Sequence, residues 1–599
     1  MLFFLPAGLR RSALFRLNGV SCRFFLLLSG LLLCLALPGP ARADPVVHIS
    51  VEGVEGDLLE NILGYLSIEQ HKKDADLSEE DVRRLYEQAP EEIRSALQPF
   101  GFYKPDITSA LSREEGAWRA HFQIAPGPAV RIRTIDLAVS GPGSGDPRLE
   151  RLREDFPVKE GQVLQHEKYE KAKRMLQETA AERGYLDAEF LEHKVVVHRE
   201  EYYAVVELHL ATGPLYHFGE VTFHQEALRP EFMVRFLPFR AGDPYRISGL
   251  LDLQSALYES DYFSEVEVMP RKDLAEDLVI PVEVFLEPRK RQKYVFGIGY
   301  GTDTGVRGIL GWENRRVNRR GHKFTAELNF SEIRGSLTSR YTIPMKHPVT
   351  DHFDISAGFS QDRTETSRSA TRLLGVSYTQ VRGKWQETFY LNFQQEKFTI
   401  SDESGDSTLL LPGTNWVRVK ADNRINTTNG SRLLLDLRGA HTALVSDTSF
   451  VQARVNAKVI RSLGSIGRII LRGDVGTTQA GDFSRLPPSQ RFFAGGDQSV
   501  RGYAYNSLGP ESAEGKVIGG KHLLVGSVEY EQHIVKKWSA AVFFDAGNAL
   551  ARFSGPLEQG AGFGVRWKSP VGPVRVDLAW ALSKPGTPWR IHITMGPDL

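Results

Sequence analysis

Apolar and polar positions along this 599-residue chain follow two rhythms, and the change between them falls near Arg289. Before it, a pattern of roughly eighty residues recurs three times, each reading strand, helix, helix, strand, strand. Three landmarks set the register: "FGFYKPDI" from Phe100, "RGYLDAEF" from Arg183 and "SDYFSEVEV" from Ser260. Each follows an amphipathic helix. Tyr169, Ala172, Leu176 and Ala180 share one helical face in the second unit, as Leu250, Leu253 and Leu257 do in the third. Each unit closes on an alternating strand whose apolar side is Trp118, Ala120, Phe122 and Ile124, then Ala204, Val206, Leu208 and Leu210, then Ile280, Val282, Val284 and Leu286. Gly127-Pro, Gly213-Pro and Glu287-Pro punctuate the ends. Three α+β domains are expected, at residues 44–127, 128–214 and 215–289.

Beyond Arg289 the helical period vanishes. Segments of roughly 9 to 15 residues alternate apolar with polar between turn residues, the signature of a transmembrane β-barrel. Phe324, Ala326, Leu328 and Phe330 interleave with Thr325, Glu327 and Asn329; Val451, Ala453, Val455, Ala457 and Val459 interleave with Gln452, Arg454, Asn456 and Lys458. Charged alternates cost little facing a wet lumen and much facing lipid. Strands are expected to start near Lys293, Arg307, Gly321, Ser336, Phe353, Arg368, Trp385, Thr408, Gly430, Ser449, Gly467, Lys521, Trp538, Leu557, Gly572 and Trp589. That makes sixteen, an even number, as barrel closure in bacterial outer membranes requires. The expected class is therefore α+β repeats followed by an all-β, antiparallel barrel over residues 290–599.

Composition sharpens this picture at the N-terminus. Arg10, Arg11, Arg16 and Arg23 precede an apolar run from Phe24 to Leu37, and "ARA" at Ala41–Ala43 offers a cleavage site, so residues 1–43 read as a signal peptide. Both cysteines, Cys22 and Cys34, fall inside it, which leaves the mature chain no disulfide, thiolate metal site or cysteine nucleophile. The segment also holds five of the 74 basic residues and none of the 74 acidic ones, so the mature charge is −5 with histidine neutral. That balance speaks against nucleic acid as a partner. No later apolar run approaches a spanning helix, so strands must cross any membrane.

Period two assigns faces in the late strands. Leu524, Val528 and Tyr530 turn Glu529 inward; Val542, Phe544 and Ala546 turn Phe543, Asp545 and Gly547 inward. Phe563, Val565 and Trp567 leave Arg566 inside, and Val574, Val576, Leu578 and Trp580 leave Arg575 and Asp577 inside. His592 also faces inward, where a lone histidine is expected to be solvated. Between two of these strand patterns lies "RFFAGGDQSVRGYAY", from Arg491 to Tyr505. Gly495 and Gly496 allow a tight fold, while Val500, Arg501, Gly502 and Tyr503 present a guanidinium flanked by apolar side chains. A loop over 479–520 that tucks into its own barrel is expected, with Arg501 pinned first by Asp545 and then by Glu529.

These motifs resemble the outer-membrane protein insertase superfamily, in its translocation and assembly module (TamA-type) branch. "GGDQSVRGY" from Gly495 resembles that family's sixth extracellular loop, and "FFDAGNA" from Phe543 resembles the strand whose aspartate receives the loop arginine. "GFGVRWKSPVGPVRVDLA" from Gly562 is similar to the penultimate hairpin, and "WENRRVNRRGHKF" from Trp312 to an early strand–turn motif. The resemblance implies three POTRA-type domains in the periplasm and a barrel in the cell outer membrane. It implies insertion of β-barrel clients such as autotransporters, contact with outer-membrane lipid, and a TamB-like periplasm-spanning partner anchored in the inner membrane. One departure is that the chain closes on "HITMGPDL", without the terminal aromatic common on outer-membrane strands.

Insertion of this kind needs an edge rather than a nucleotide, because client strands gain their own pairing in lipid. The first strand, "KYVFGIGYGTD", carries Gly297, Gly299 and Gly301, which weaken its seam with the last strand at Ile591 and Ile593. No GxxxxGK[ST], GxSxG or HExxH pattern occurs, so neither an enzyme nor a cofactor is expected. Two alternatives stay open: a two-partner secretion translocator exporting a dedicated substrate, and a passive outer-membrane pore.

Overall fold

The computed structural model describes residues 47–599 apart from 75–76, 115, 365–366, 402, 465 and 571. The expected signal peptide, with Cys22 and Cys34, lies outside the described residues. The chain divides into two compact units, one running up to Thr179 with Ala188–Thr212, the other made of Ala180–Asp187 and Gly213–Leu599.

The first unit holds two three-stranded sheets. Strands β1 (Val47–Glu52), β2 (Asp106–Glu114) and β3 (Ala117–Ala125) form one, in the order β1-β3-β2. Strands β4 (Arg131–Ser140), β5 (Glu189–His198) and β6 (Tyr203–Ala211) form the other, in the order β4-β6-β5. In both, the last strand lies in the middle, parallel to the first and antiparallel to the second. A central strand has no free edge and one face under helices, so its apolar alternates are the ones that become wholly buried. Trp118, Ala120, Phe122 and Ile124 are buried, as are Ala204, Val206, Leu208 and Leu210. The helix Glu79–Leu97 covers the first sheet with Val82, Leu85, Ala89 and Ile93, and a Ser78–Asp81 capping box starts it.

The second unit contains the third repeat, with β7 (His217–His224), β8 (Phe263–Pro270) and β9 (Val279–Pro288) in the same β7-β9-β8 order. The barrel follows as β10 (Gln292–Gly301), β11 (Gly305–Asn314), β12 (Lys323–Ser331), β13 (Arg334–Pro344), β14 (His352–Arg363), β15 (Ser367–Arg382), β16 (Trp385–Ile400), β17 (Glu403–Ala421), β18 (Gly430–Ala440), β19 (Phe450–Leu463), β20 (Gly467–Ala480), β21 (His522–Val535), β22 (Trp538–Leu550), β23 (Glu558–Ser569), β24 (Gly572–Ala581) and β25 (Trp589–Met595). Among the described residues these sixteen strands form one antiparallel sheet in chain order. Three run longer than the sequence suggested: β15 and β16 have 16 residues and β17 has 19. "ESGD" at Glu403–Asp406 reads as a turn, yet the ladder runs through it, with Gly405 opposite Phe398 and Asp406 opposite Lys397. Backbone pairing overrides local propensity where both strands of a hairpin continue.

Alternation then sorts the wall. Val528, Val542, Phe544, Phe563, Val565 and Trp567 are exposed on its outside, while Glu529, Phe543, Asp545, Arg566 and Asp577 are buried within. The "WENRRVNRRGHKF" turn between β11 and β12 meets the third repeat. Arg229 N–H donates to the Arg319 carbonyl at 2.9 Å, Lys323 Nζ to the Ser260 carbonyl at 2.7 Å, and the Tyr262 hydroxyl to the Gly321 carbonyl. Asp261 accepts from Arg289 Nη1 at 2.5 Å and Arg315 Nε at 2.6 Å. Burial alone would raise the Asp261 pKa, but the Arg315 and Arg289 guanidiniums override it and hold the carboxyl below its ordinary value.

Candidate functional site

The connection from β20 to β21 folds back against the inner faces of β21 to β24. Phe492, Ala494, Val500, Tyr503 and Leu508 are buried together with Leu523, Val525, Ala549 and Ala581 of the wall and its edges. Glycine makes this approach possible at two points. Gly496 has φ +101°, and a Cβ there would sit 2.5 Å from Asp303 Oδ2. Gly502 has φ +94°, and a Cβ would sit 2.8 Å from the Trp580 carbonyl carbon, so the loop lies flat on β24. Gly495 has φ +97°.

Arg501 is 3% exposed and meets three wall carboxylates. Its Nε and Nη2 donate to the two oxygens of Asp545 at 2.8 and 3.0 Å, and its backbone N–H donates to Asp545 Oδ2 at 3.0 Å. Nη1 donates to Glu529 Oε2 at 2.6 Å and to Asp577 Oδ2 at 3.2 Å. The guanidinium carbon lies 3.4 Å from the Phe543 ring centroid. Arg566 faces the same acids from the other side, reaching Glu529 at 2.8 Å and Asp577 at 2.5 Å. Tyr503 extends the contact by donating to Glu558 Oε2 at 2.9 Å.

A second cluster ties the loop to both ends of the sheet. Asp497 N–H donates to Asp303 Oδ2 at 2.6 Å, and Thr302 Oγ1 donates to Asp497 Oδ1 at 3.3 Å; both partners sit in the turn after β10. From β25, His592 Nδ1 bonds Asp497 Oδ1, and its Nε2 accepts from Gly502 N–H at 3.0 Å. Both ring nitrogens are thus engaged by the loop. His592 is 1% exposed, which corrects the expectation of a solvated lumenal histidine: the incoming loop covers the face that period two had left open. Donor atoms of Asp303, Asp497 and His592 lie within 4.8 Å of one another, a spacing that could also hold a metal ion.

The sheet curls into a nearly closed barrel whose last seam is not laddered. Among the described residues no ladder joins β10 to β25. The two strands lie side by side, and the hydrogen bonds that cross the seam among the described residues come from the first hairpin: Ile593 N–H donates to Thr302 Oγ1 at 3.2 Å and Arg307 Nη2 donates to the Met595 carbonyl at 3.1 Å. The rest of β10 pairs only with β11, and Phe296 and Ile298 are 77% and 87% exposed. Gly297 and Gly299 face Ile309 and Arg307 of β11, while the free side of Gly301 approaches the Ile593 carbonyl. Ile591 stands exposed on the other lip.

An inward arginine loop beside an unpaired seam and three small αβ domains is a distinctive combination, and comparison with known proteins gives it a family. The model of the Omp85 superfamily domain matches residues 298–598, that of POTRA domain TamA domain 1 matches 48–126, and that of the surface antigen variable number repeat matches 148–207. This chain belongs to the Omp85 superfamily. Among curated relatives, the outer membrane protein assembly factor BamA of Nitratidesulfovibrio vulgaris strain Hildenborough is 20% identical over 493 residues, which cover 79% of this chain and 62% of the relative. BamA from Haemophilus ducreyi lacking POTRA domains 1–3 shares the fold, with TM-score 0.64 and 16% identity over 77% of this chain and 99% of that one. CdiB from Acinetobacter baumannii aligns with TM-score 0.46 and 14% identity over 78% of this chain and 89% of that one.

The Omp85 barrel has a further feature that faces and spacings did not reveal. After β25 the residues Pro597–Leu599 turn into the bore, and Asp598, 2% exposed, becomes a hub. It accepts from Arg468 Nη1 at 2.7 Å, Arg575 Nη2 at 2.5 Å and Thr427 N–H at 2.9 Å, while Lys458 Nζ donates to its carbonyl at 2.6 Å. Arg575 is thus lumenal as expected but serves the chain end rather than the loop. Arg468 also pairs with Glu531 at 2.6 Å, and Glu531 lies 3.4 Å from Arg566. Arg472, 3.5 Å from Asp545, closes the other end. Among the described residues five guanidiniums (Arg468, Arg472, Arg501, Arg566, Arg575) and five carboxylates (Glu529, Glu531, Asp545, Asp577, Asp598) form one connected network from loop to terminus, with Glu529 and Asp577 both bridging Arg501 and Arg566. Period two applied to β20 would have turned Arg468 and Arg472 inward, opposite the outward Leu471 and Val475. Nothing in the pattern pointed to Asp598, because it lies past the last strand.

Proposed function

We propose that this Omp85 protein is an outer-membrane assembly factor that inserts β-barrel clients, autotransporters among them, by lending them the free edge of β10. The open ladder between β10 and β25 carries this reading. An unpaired strand edge in a bilayer is costly unless another strand adds to it. A client hairpin that pairs with β10 satisfies its own backbone as it enters lipid, so the reaction runs on client folding without nucleotide or catalysis. The three POTRA-type domains stand in the periplasm on this reading. There they receive unfolded clients and a TamB-like partner at edge strands such as β5, where Leu191 is 66% exposed. The loop and the inturned tail occupy the bore, which favours an assembly role over a passive pore.

Joining Gly301→Cys to Ile593→Cys with a short thiol cross-linker tests the seam. Insertion of an autotransporter barrel into proteoliposomes, followed by its heat-modifiable mobility, should fall to background when the cross-link forms and should return with a cleavable linker after cleavage. Full insertion by the linked protein would refute strand lending.

A further inference from the structure

The outer wall of β14 to β17, at the end remote from the third repeat, carries a charge arrangement that the assembly reading does not use. Alternation places Phe359 and Arg363 of β14, Arg368, Arg372, Leu374 and Val376 of β15, and Leu391 and Lys397 of β16 on the lipid side, all of them exposed. Arg363 stands directly opposite Arg368 in the ladder, Arg372 opposite Phe359, and Lys397 opposite Ala370. Like charges directly opposed across strands repel. Two carboxylates are near: Asp406 lies 4.0 Å from Lys397, both side chains about three-quarters exposed, and Asp362, next to Arg363 in β14, is taken up by Arg334 at 3.3 Å. Arg363, Arg368 and Arg372 have no side-chain hydrogen bond or ion pair among the described residues. A shallow groove joins Arg363, Arg368, Lys397, Asp362 and Asp406, with Gln361, Thr399 and Ser404 also lining it, and Arg372 stands on the wall outside this lining.

We propose that this groove binds the phosphorylated headgroup of a lipid in the leaflet remote from the third repeat. Paired guanidinium forks match phosphate oxygens, and an anion between Arg363 and Arg368 removes their repulsion. The neighbours below identify the ligand as an amphiphile rather than a free anion. The same face continues into Phe359, Leu374, Val376 and Leu391, so Arg372 marks the hydrocarbon boundary and its stem lies along apolar wall. Arg363 and Arg368 stand four residues beyond it, about 13 Å along the strand and less in depth once tilted, which is the reach of a headgroup layer. The inference depends on the barrel lying in a bilayer and is independent of whether the protein inserts clients.

The test uses the full chain in nanodiscs of phosphatidylcholine doped with phosphatidic acid, with native mass spectrometry counting the lipids retained on release. The wild type should retain phosphatidic acid preferentially. Arg363→Glu/Arg368→Glu/Arg372→Glu should lower that preference on the order of tenfold or more. Arg382→Glu, on the same strand at its other end, should leave the preference intact, and millimolar inorganic phosphate should not displace the lipid. Unboiled-gel mobility confirms that the barrel is folded; if the triple variant fails to fold, Arg363→Gln and Arg368→Gln should each lower the preference several-fold. Undiminished preference in the arginine variants, an equal loss in Arg382→Glu, or displacement by inorganic phosphate would each overturn the proposal.

Discussion

Arg501 is held by a two-pronged fork on Asp545, by its own backbone N–H, by Glu529 and Asp577, and by the face of Phe543. A lysine could keep the charge but not the fork, so Arg501→Lys should release the loop only in part. Arg501→Ala should leave three buried carboxylates facing Arg566 and Arg472, a loss of about 3–5 kcal/mol for one side of a buried pair. With a reporter thiol at Ala494→Cys, 1% exposed in the folded loop, maleimide labelling should rise from slow in the parent through Lys to fast in Ala. Equal rates in all three would remove the pinning role. The wall partners were legible because β21 to β24 alternate without interruption through the lock, the register shifting only between His533 and Val535. Asp497 sat inside the quoted loop motif unremarked. Its partners Asp303 and His592 lie 194 and 95 residues away in sequence, a separation that no local spacing encodes.

At the scale of elements, β25 is short because the chain leaves the wall after Met595 and spends its last residues inside the bore. The burial of Asp598 and its pairing with Arg468 and Arg575 follow from that inward turn at Gly596-Pro597. Asp598→Ala should leave Arg468 and Arg575 short of their shared acid and free the tail. The expected result is a lower midpoint in heat-modifiable mobility and faster amide exchange across Ile591–Ile593, with Asp598→Glu restoring most of both. An unchanged midpoint together with unchanged exchange would make the tail a passenger. The strands themselves were readable to within five residues at every start, because a lipid-facing side must be apolar along its whole length. The hairpin β16–β17 was the exception in length, since its outer part stands beyond that constraint and only the ladder reveals it.

For the whole molecule, the consequential joint is the one where the third repeat meets the barrel, because it fixes both the start of β10 and the turn between β11 and β12. Asp261 bridges that joint, gripping Arg289 just ahead of β10 and Arg315 just after β11. Its carboxyl titrates below the ordinary 3.8, so its folded form favours the charged state. The stabilisation is then fully present above the unfolded value and is lost as pH falls through the lower, folded one. Docking should accordingly be indifferent to pH from 8 to 5 and loosen only below about 4. Asp261→Asn should abolish that acid step and weaken the joint at neutral pH by about 1.5–3 kcal/mol, the range of a charge-assisted hydrogen bond. Amide exchange at Arg289 and Arg315, whose N–H groups donate to the Tyr262 and Arg291 carbonyls, reads both effects. If the asparagine variant exchanges like the parent at pH 7, the joint is held by the Tyr262–Gly321 and Lys323–Ser260 contacts alone, and the first hairpin is positioned without the ion bridge.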